Sequence, residues 1–418
     1  MHRPPHPAKR AILTTAALGL LFCSARAQSP ADFESTEPAI QPSLTATGEF
    51  WHNASGGLAT GSRWNSLVDL SLEVDVAALG GPAGAALVAQ LFWIENQHAT
   101  ADFTSLTGTA NPVSGIHAAD SWRVFNLFYR QAWGDNRYVL KLGQLALDDD
   151  FMGSEFASLF ALSALGAMPS QVATPQCGRL GGGGAFPVYA VAAPGAFFCI
   201  HPTEDFAFQL GVYHGGPGRD DRANHGFDWA DGSGQGAVVF YEGAYRFLFA
   251  GKRSTLRLGG GVHTGRFDNF AALATAADLA EVHGLHTFYM VHDVVLAERD
   301  EEGPLLGAFW RAGVCPQQDR SVVHRYVDAG LNWFAPLPGR KDDIAGVALS
   351  YTEYGDGFRR VDPARASAET ALELTYRAQV TTHLALQAVA QRHFDPLADV
   401  SGRRRAATVF GLRAELAF

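Results

Sequence analysis

Apolar and polar residues alternate along most of the chain with a period of two. In the segment 63–76, Val68, Leu70, Leu72, Val74 and Val76 share one face, and Asp69, Ser71, Glu73 and Asp75 share the other. Leu372, Leu374 and Tyr376 alternate in the same way with Glu373, Thr375 and Arg377. The chain closes on Phe410, Leu412, Ala414, Leu416 and Phe418, set against Gly411, Arg413, Glu415 and Ala417. This is the period of a strand with one apolar and one polar face. The pattern predicts sixteen strands, near 44–52, 63–76, 85–95, 123–133, 137–145, 193–200, 205–213, 237–248, 254–265, 285–297, 305–315, 323–334, 343–354, 369–380, 383–392 and 406–418. Most have the length that crosses a bilayer when tilted.

The connections also alternate. Those after even-numbered strands are mostly short, such as Gly134-Asp135-Asn136 and Thr381-Thr382, and those after odd-numbered strands are mostly long, such as 96–122, 146–192 and 214–236. Short turns on one side and long loops on the other are the signature of an outer-membrane barrel, whereas a soluble sandwich has no cause to alternate this way. A Leu-, Val- and Phe-rich face opposite one of acids, bases, amides and glycine suits a lipid-facing wall around a wet lumen. The expected fold is therefore all-β: a sixteen-stranded antiparallel transmembrane barrel of porin type over residues 44–418. A terminal aromatic such as Phe418 suits a last strand that the barrel assembly machinery reads.

The N-terminus reads as a secretory signal. Arg3, Lys9 and Arg10 precede a short apolar run, and Ala25-Arg26-Ala27 fits a small-x-small cleavage site, so residues 1–27 would be removed. Residues 28–43 would form a short periplasmic segment. The signal carries four basic residues and no acidic ones, so its loss takes the formal charge from −10 to about −14, the opposite of a nucleic-acid binder. Cys177 and Cys199 flank a Gly/Pro-rich stretch and could pair in an oxidising periplasm. No Cys/His spacing suggests a metal site, Gly181–Gly184 lacks the Lys-Ser or Lys-Thr of a phosphate loop, and no HExxH occurs.

Three groups of segments resemble the OprB-like carbohydrate-selective porin family. The first is Phe125-Asn126-Leu127-Phe128-Tyr129-Arg130-Gln131-Ala132-Trp133 followed by Leu140-Lys141-Leu142-Gly143-Gln144 and 148–151. The second is Phe186-Pro187-Val188-Tyr189 leading to Leu210-Gly211-Val212-Tyr213-His214-Gly215, and the third is Tyr326-Val327-Asp328-Ala329-Gly330-Leu331-Asn332. The resemblance runs from about Gly48 to Phe418. It implies an outer-membrane channel that passes sugars by diffusion, with no cofactor and no enzymatic step. The partners it implies are carbohydrates, outer-membrane lipid and lipopolysaccharide, and it leaves a homo-oligomer open.

A sugar-selective channel needs hydroxyl donors and acceptors around a narrow point, with aromatic faces for ring CH groups, whereas a ring of one charge sign selects ions. The resemblance implies that the connection 146–192 folds inward. It holds Asp148, Asp149, Asp150 and Glu155, then a mostly apolar run to Met168 that would sit poorly in outer water. The alternative is a surface loop whose acids bind divalent cations or lipopolysaccharide. Arg130 shares the parity of Asn126 and would face the lumen, pairing with Asp150 or Glu155, either as a sugar donor or as a structural tie. Arg123 has the opposite parity and is the weaker candidate. Asp69 and Glu73 face inward as acceptors or as plain wetted wall. Trp51 shares the parity of Thr47 and Glu49, which leaves it between sugar stacking and the membrane belt. Trp93 reads as a belt residue first and a lumen residue second, and Trp133, Trp310 and Trp333 as belt residues.

Overall fold

In the computed structural model of the protein, the described residues are 38–96, 104–176, 184–230, 234–275, 281–299, 303–398 and 406–418. The proposed signal, Cys177 and most of Gly181–Gly184 lie outside them. The chain forms sixteen strands: β1 (Ile40–Ser55), β2 (Gly61–Asp75), β3 (Ala85–Asn96), β4 (Ser121–Trp133), β5 (Tyr138–Leu145), β6 (Ala193–Ile200), β7 (Phe206–His214), β8 (Ala237–Phe249), β9 (Lys252–Asp268), β10 (Glu281–Glu298), β11 (Pro304–Val314), β12 (Val323–Phe334), β13 (Ile344–Tyr354), β14 (Ala368–Gln379), β15 (Leu384–Phe394) and β16 (Ala407–Ala417). Each pairs antiparallel with the next, and β1 pairs with β16 to close the barrel. Closure leaves no sheet edge, so every strand can satisfy its backbone inside a membrane.

The strand pattern predicted from alternation matches this order. The largest differences are at strand ends. β1 begins at Ile40 because its first residues pair with β2 (Ile40 with Val74), although their own alternation is weak. The register of β3 on β4 jumps from Gln90–Asn126 to Leu91–Val124, so Phe125 is an extra residue, a β-bulge. The bulge reverses parity. Arg123 and Arg130 therefore both point into the lumen, which parity counting alone could not give.

The outer face carries Val68, Leu70, Leu72, Leu349, Leu374, Leu386 and Leu412. Near its rims sit aromatics, including Trp133 stacked on Tyr138 with ring centroids 5.8 Å apart. The largest buried cluster lies inside the barrel. It joins wall residues such as Phe197, Phe240, Phe309 and Tyr326 to Phe151, Phe156, Phe160, Leu165 and Met168 of the β5–β6 connection (146–192, hereafter L3). An ordinary wide porin lumen is thus partly filled from within.

Leu374 sits mid-strand on the outer face, while Leu72 lies near the β2–β3 turn. Leu374→Arg should destabilise the barrel by about 2–4 kcal/mol, and Leu72→Arg by less, because the cost of a lipid-facing arginine falls towards the interface. Reversible urea unfolding in phospholipid vesicles measures both, and two parent-like variants would reverse the assignment of faces.

Candidate functional site

L3 enters the lumen because the top of β4 captures it. Asn126 Oδ1 accepts from the Ala146 amide at 3.0 Å, and its Nδ2 donates to Asp149 at 2.8 Å and to Gln90 at 2.7 Å. Lys141 Nζ stands 2.5 Å from Asp150, and the Leu147 amide donates to Pro187 O on the returning leg. The gap left in the wall beside the top of β4 is closed by the β7–β8 connection (215–236, hereafter L4), where His225 O accepts from the Val124 amide.

Crossing the lumen, L3 is held strand by strand through its own backbone. Glu242 on β8 accepts from the Met152 amide at 3.0 Å, and Asp293 on β10 accepts from Ser154 Oγ at 2.5 Å and the Glu155 amide at 3.2 Å. Asn332 on β12 donates to Phe156 O, and Gln387 on β15 donates to Leu159 O. Glu373 on β14 accepts from the Ala161 and Leu162 amides at 2.8 and 2.9 Å. Arg311 on β11 is 1% exposed and pairs with the fully enclosed Asp328; it donates to Ala164 O and Gly166 O at 3.1 and 2.7 Å. Tyr326 also donates to Ala164 O. Glycines on the wall make room: a Cβ on Gly307 would lie 2.5 Å from the Phe156 ring.

A second loop also enters, which the sequence reading did not anticipate. The described part of the β3–β4 connection (104–120, hereafter L2) packs across the outer mouth. Glu369 on β14 accepts from the Ala110 amide at 3.0 Å and from Asn111 Nδ2 at 3.0 Å, and Asn111 also donates to Thr352. L2 and L3 bond directly: the Gly115 amide donates to Ala161 O at 2.8 Å, and the Ser163 amide to Pro112 O at 3.1 Å.

The candidate residues separate on this frame. Arg130 does not meet Asp150 or Glu155. Its Nη2 stands 2.8 Å from Glu73 Oε1, and the two side chains remain 36% and 41% exposed. The expected partner Asp150 is instead taken by Lys141 on the adjacent strand. Asp69 faces the lumen, accepting from Gln90 at 2.8 Å and Ser71 at 3.2 Å. Asp148 accepts from the Tyr189 amide at 3.1 Å, tying the two roots of L3. The Glu155 side chain is exposed, with Asp293 and Arg257 near enough to act on its charge. Arg123 faces inward but is buried. It stands 3.0 Å from Asp220 of L4 and donates to Ala190 O of L3 at 3.0 Å, so it clasps loops together. Trp51 lies on the inner wall yet is covered by Leu106, Val113 and Ala161, with its Nε1 given to Glu49 at 2.7 Å; it offers no open ring face. Trp93 is 63% exposed on the outer face, so it is no lumen residue. Cys199 is buried on β6, and its proposed pairing partner is outside the described residues.

What L3 leaves open is the arc from β14 through β16 and β1 to β4. Along it stand Asp69 with Gln90 and the half-exposed Arg130–Glu73, and, largely enclosed in the wall, Arg377–Glu415 at 2.9 Å and Arg413–Glu49 at 2.5 Å, with Glu49 buried. Opposite signs sit within contact distance in the three ion pairs, while Asp69 meets a neutral amide and a hydroxyl. Sequence parity supplied Asp69 and Glu73, while Arg377, Arg413 and Glu49 were visible in alternating strands but not singled out.

The loop acids respond to enclosure. Burial, then the neighbouring acids Asp148 and Asp150, raise the Asp149 carboxyl; burial likewise raises Asp148. A carboxyl raised in the folded state keeps its proton longer there than when unfolded. It therefore costs stability as pH climbs from the ordinary carboxylate range near 4 towards the raised value. Asp149→Asn retains an acceptor for Asn126, so it should stabilise the protein at pH 8 and change little at pH 4, as read by urea unfolding at both pH values. Arg311→Met should cost about 3–5 kcal/mol because it strands the buried Asp328 charge, and adding Asp328→Leu should recover most of that loss in the same assay.

Residues 63–418 match the family described as "Carbohydrate-selective porin, OprB family". No curated protein matches the chain in sequence. Among solved structures, the chain is similar to the high pH structure of Pseudomonas putida OprB at 17% identity, covering 91% of this chain and 94% of that one with a TM-score of 0.79. It is also similar to the low pH structure of the same protein at 14% identity, covering 91% and 93% with a TM-score of 0.55. The outer membrane channel DcaP of Acinetobacter baumannii is similar at 9% identity, covering 91% and 97% with a TM-score of 0.51. At these identities the structures speak to the fold.

Proposed function

Because the chain belongs to the OprB family of carbohydrate-selective porins, we propose that it lies in the bacterial outer membrane and passes sugars down their gradient along the open arc of its lumen, with Arg130 and Glu73 as the first sugar contacts. The observation that carries the reading is the pairing of opposite charges along that arc. Paired charges leave no extended field of one sign, so the path does not sort solutes as an ion channel does. A sugar brings hydroxyls that both donate and accept. Arg130 spends Nη2 on Glu73 and has no other hydrogen bond among the described residues, while Glu73 retains a carboxylate oxygen. A vicinal diol can donate to that oxygen and accept from the guanidinium at once. Phe128, on the same face of β4, adds a partly buried apolar surface.

Covalent chemistry has no role in this reading. A weak site raises flux at low sugar and saturates at high sugar, because release must stay fast. The outward apolar face, its tryptophans and the terminal Phe418 support insertion in a membrane, with lipid and lipopolysaccharide around the wall.

Planar-bilayer recording of the purified protein with sugars titrated in tests the proposal. Saturable, sugar-dependent block of open channels is expected. Arg130→Ala or Glu73→Gln should raise the half-blocking concentration by about threefold to tenfold, the loss of one or two partly exposed hydrogen bonds. Open channels indifferent to every sugar would replace the reading with a general diffusion porin.

A further inference from the structure

The outer face from β14 to β1 is apolar over most of its height, and one guanidinium interrupts it. On β15 the outward residues are Leu386, Ala388, Ala390, Arg392 and Phe394. The strand rises from the short turn after β14, so Arg392 stands two residues below its long-loop end. Its neighbours across the ladder are Leu372 on β14 and Thr408 on β16. Arg392 donates to Thr408 Oγ1, and its guanidinium lies 5.9 Å from the centre of the Phe394 ring. It makes no ion pair among the described residues, Asp395 just beyond the strand included. No acid faces outward from β14, β15, β16 or β1. Arg325, which also faces outward near the rim, has Glu353 beside it at 3.7 Å. Arg392 is thus a cation at the lipid surface with most of its five donors uncommitted.

Below it the wall forms an apolar groove that runs down β15. Ala390 is flanked by Leu374 and Phe410, and Ala388 by Tyr376 and Leu412. Leu374, Phe410 and Leu412 are about half exposed and stand up from the sheet on either side of the alanines. The flanking strands are two strand spacings apart, about 10 Å, which leaves room for one acyl chain between their side chains.

We propose that this groove holds an acyl chain of a phosphorylated glycolipid of the outer leaflet, the lipid A part of lipopolysaccharide, with its phosphate on Arg392 and Thr408. A guanidinium gives a phosphate two parallel N–H bonds, and the Thr408 hydroxyl, which accepts from Arg392, keeps its own proton for a third oxygen. Charge complementarity selects the phosphate. The place of Arg392 near the long-loop end of β15 selects the outer leaflet, where a lipid-facing arginine also costs least. This inference rests on the reading of the chain as an outer-membrane protein.

Native mass spectrometry of the detergent-solubilised protein, titrated with diphosphoryl lipid A, tests it. Heat-modifiable mobility in SDS gels first establishes a closed barrel in each variant. Arg392→Gln should raise the apparent Kd about tenfold, through loss of charge-assisted hydrogen bonds, and Arg392→Lys should fall between it and the parent. Ala390→Phe fills the groove with the guanidinium in place and should weaken binding about threefold or more. Arg325→Gln, the control, should bind as the parent does. Phosphatidylglycerol and inorganic phosphate should displace lipid A poorly. Parent affinity in either Arg392→Gln or Ala390→Phe would overturn the inference, as would ready displacement by phosphatidylglycerol or by inorganic phosphate. A barrel recovered from the outer-membrane fraction with no affinity for lipid A would overturn this inference alone, whereas recovery in a periplasmic wash would overturn the membrane reading beneath it.

Discussion

A loop that crosses the inside of a barrel brings with it backbone amides and carbonyls that have left every sheet and most of the water. Each must find a partner there, since an unpaired buried backbone group costs about as much as a lost hydrogen bond. Here the inner wall supplies those partners one at a time: Glu242, Asp293, Asn332, Gln387, Glu373 and Arg311, from strands between β8 and β15, half of the circumference. The channel's shape follows from this requirement. L3 can stand only where the wall meets its backbone, and the passage is whatever the docked loop leaves open.

Two different uses of ionic groups result, and burial separates them. Arg311 and Asp328 are enclosed, bonded to each other and to loop carbonyls, and have nothing left to offer a solute. A pair of this kind contributes little net stability but is costly to break, so it fixes position more than it adds energy. Arg130 and Glu73 have the same chemistry with water beside them. Screening makes their mutual attraction weak. That weakness leaves donors and an acceptor free to exchange between each other and a passing hydroxyl.

Much of the fold was legible in the sequence because a barrel repeats one local rule, alternation, sixteen times, and each repeat is readable without its partner. What could not be read was anything that depends on an absent neighbour. The bulge at Phe125 appears only when β4 is laid on β3, and so Arg123 was assigned to the wrong face. Lys141 captures Asp150 because β5 sits beside the root of L3, which left Arg130 to Glu73 on a strand far earlier in the chain. Trp51 was on the face that parity gave it, but parity says nothing about L2 lying over it. L2 itself gave no sign. It has no long apolar run like that of L3, and its anchor Glu369 is 258 residues from Asn111.

The pairing of charges along the open arc also bears on how such a path can be selective without being slow. A neutral, hydroxyl-rich solute gains little from any single contact here, because each bond it makes replaces one to water or to the paired charge. Moving from Arg130–Glu73 towards Asp69 and Gln90, it would exchange one set of partial bonds for a similar set. Successive sites of nearly equal strength keep the wells shallow, and shallow wells permit fast release. A lone cation or anion meets each attraction beside its opposite and gains no comparable run of favourable sites. Selectivity of this kind depends on the spacing of the pairs across the gap, and that spacing is set by the loop facing them.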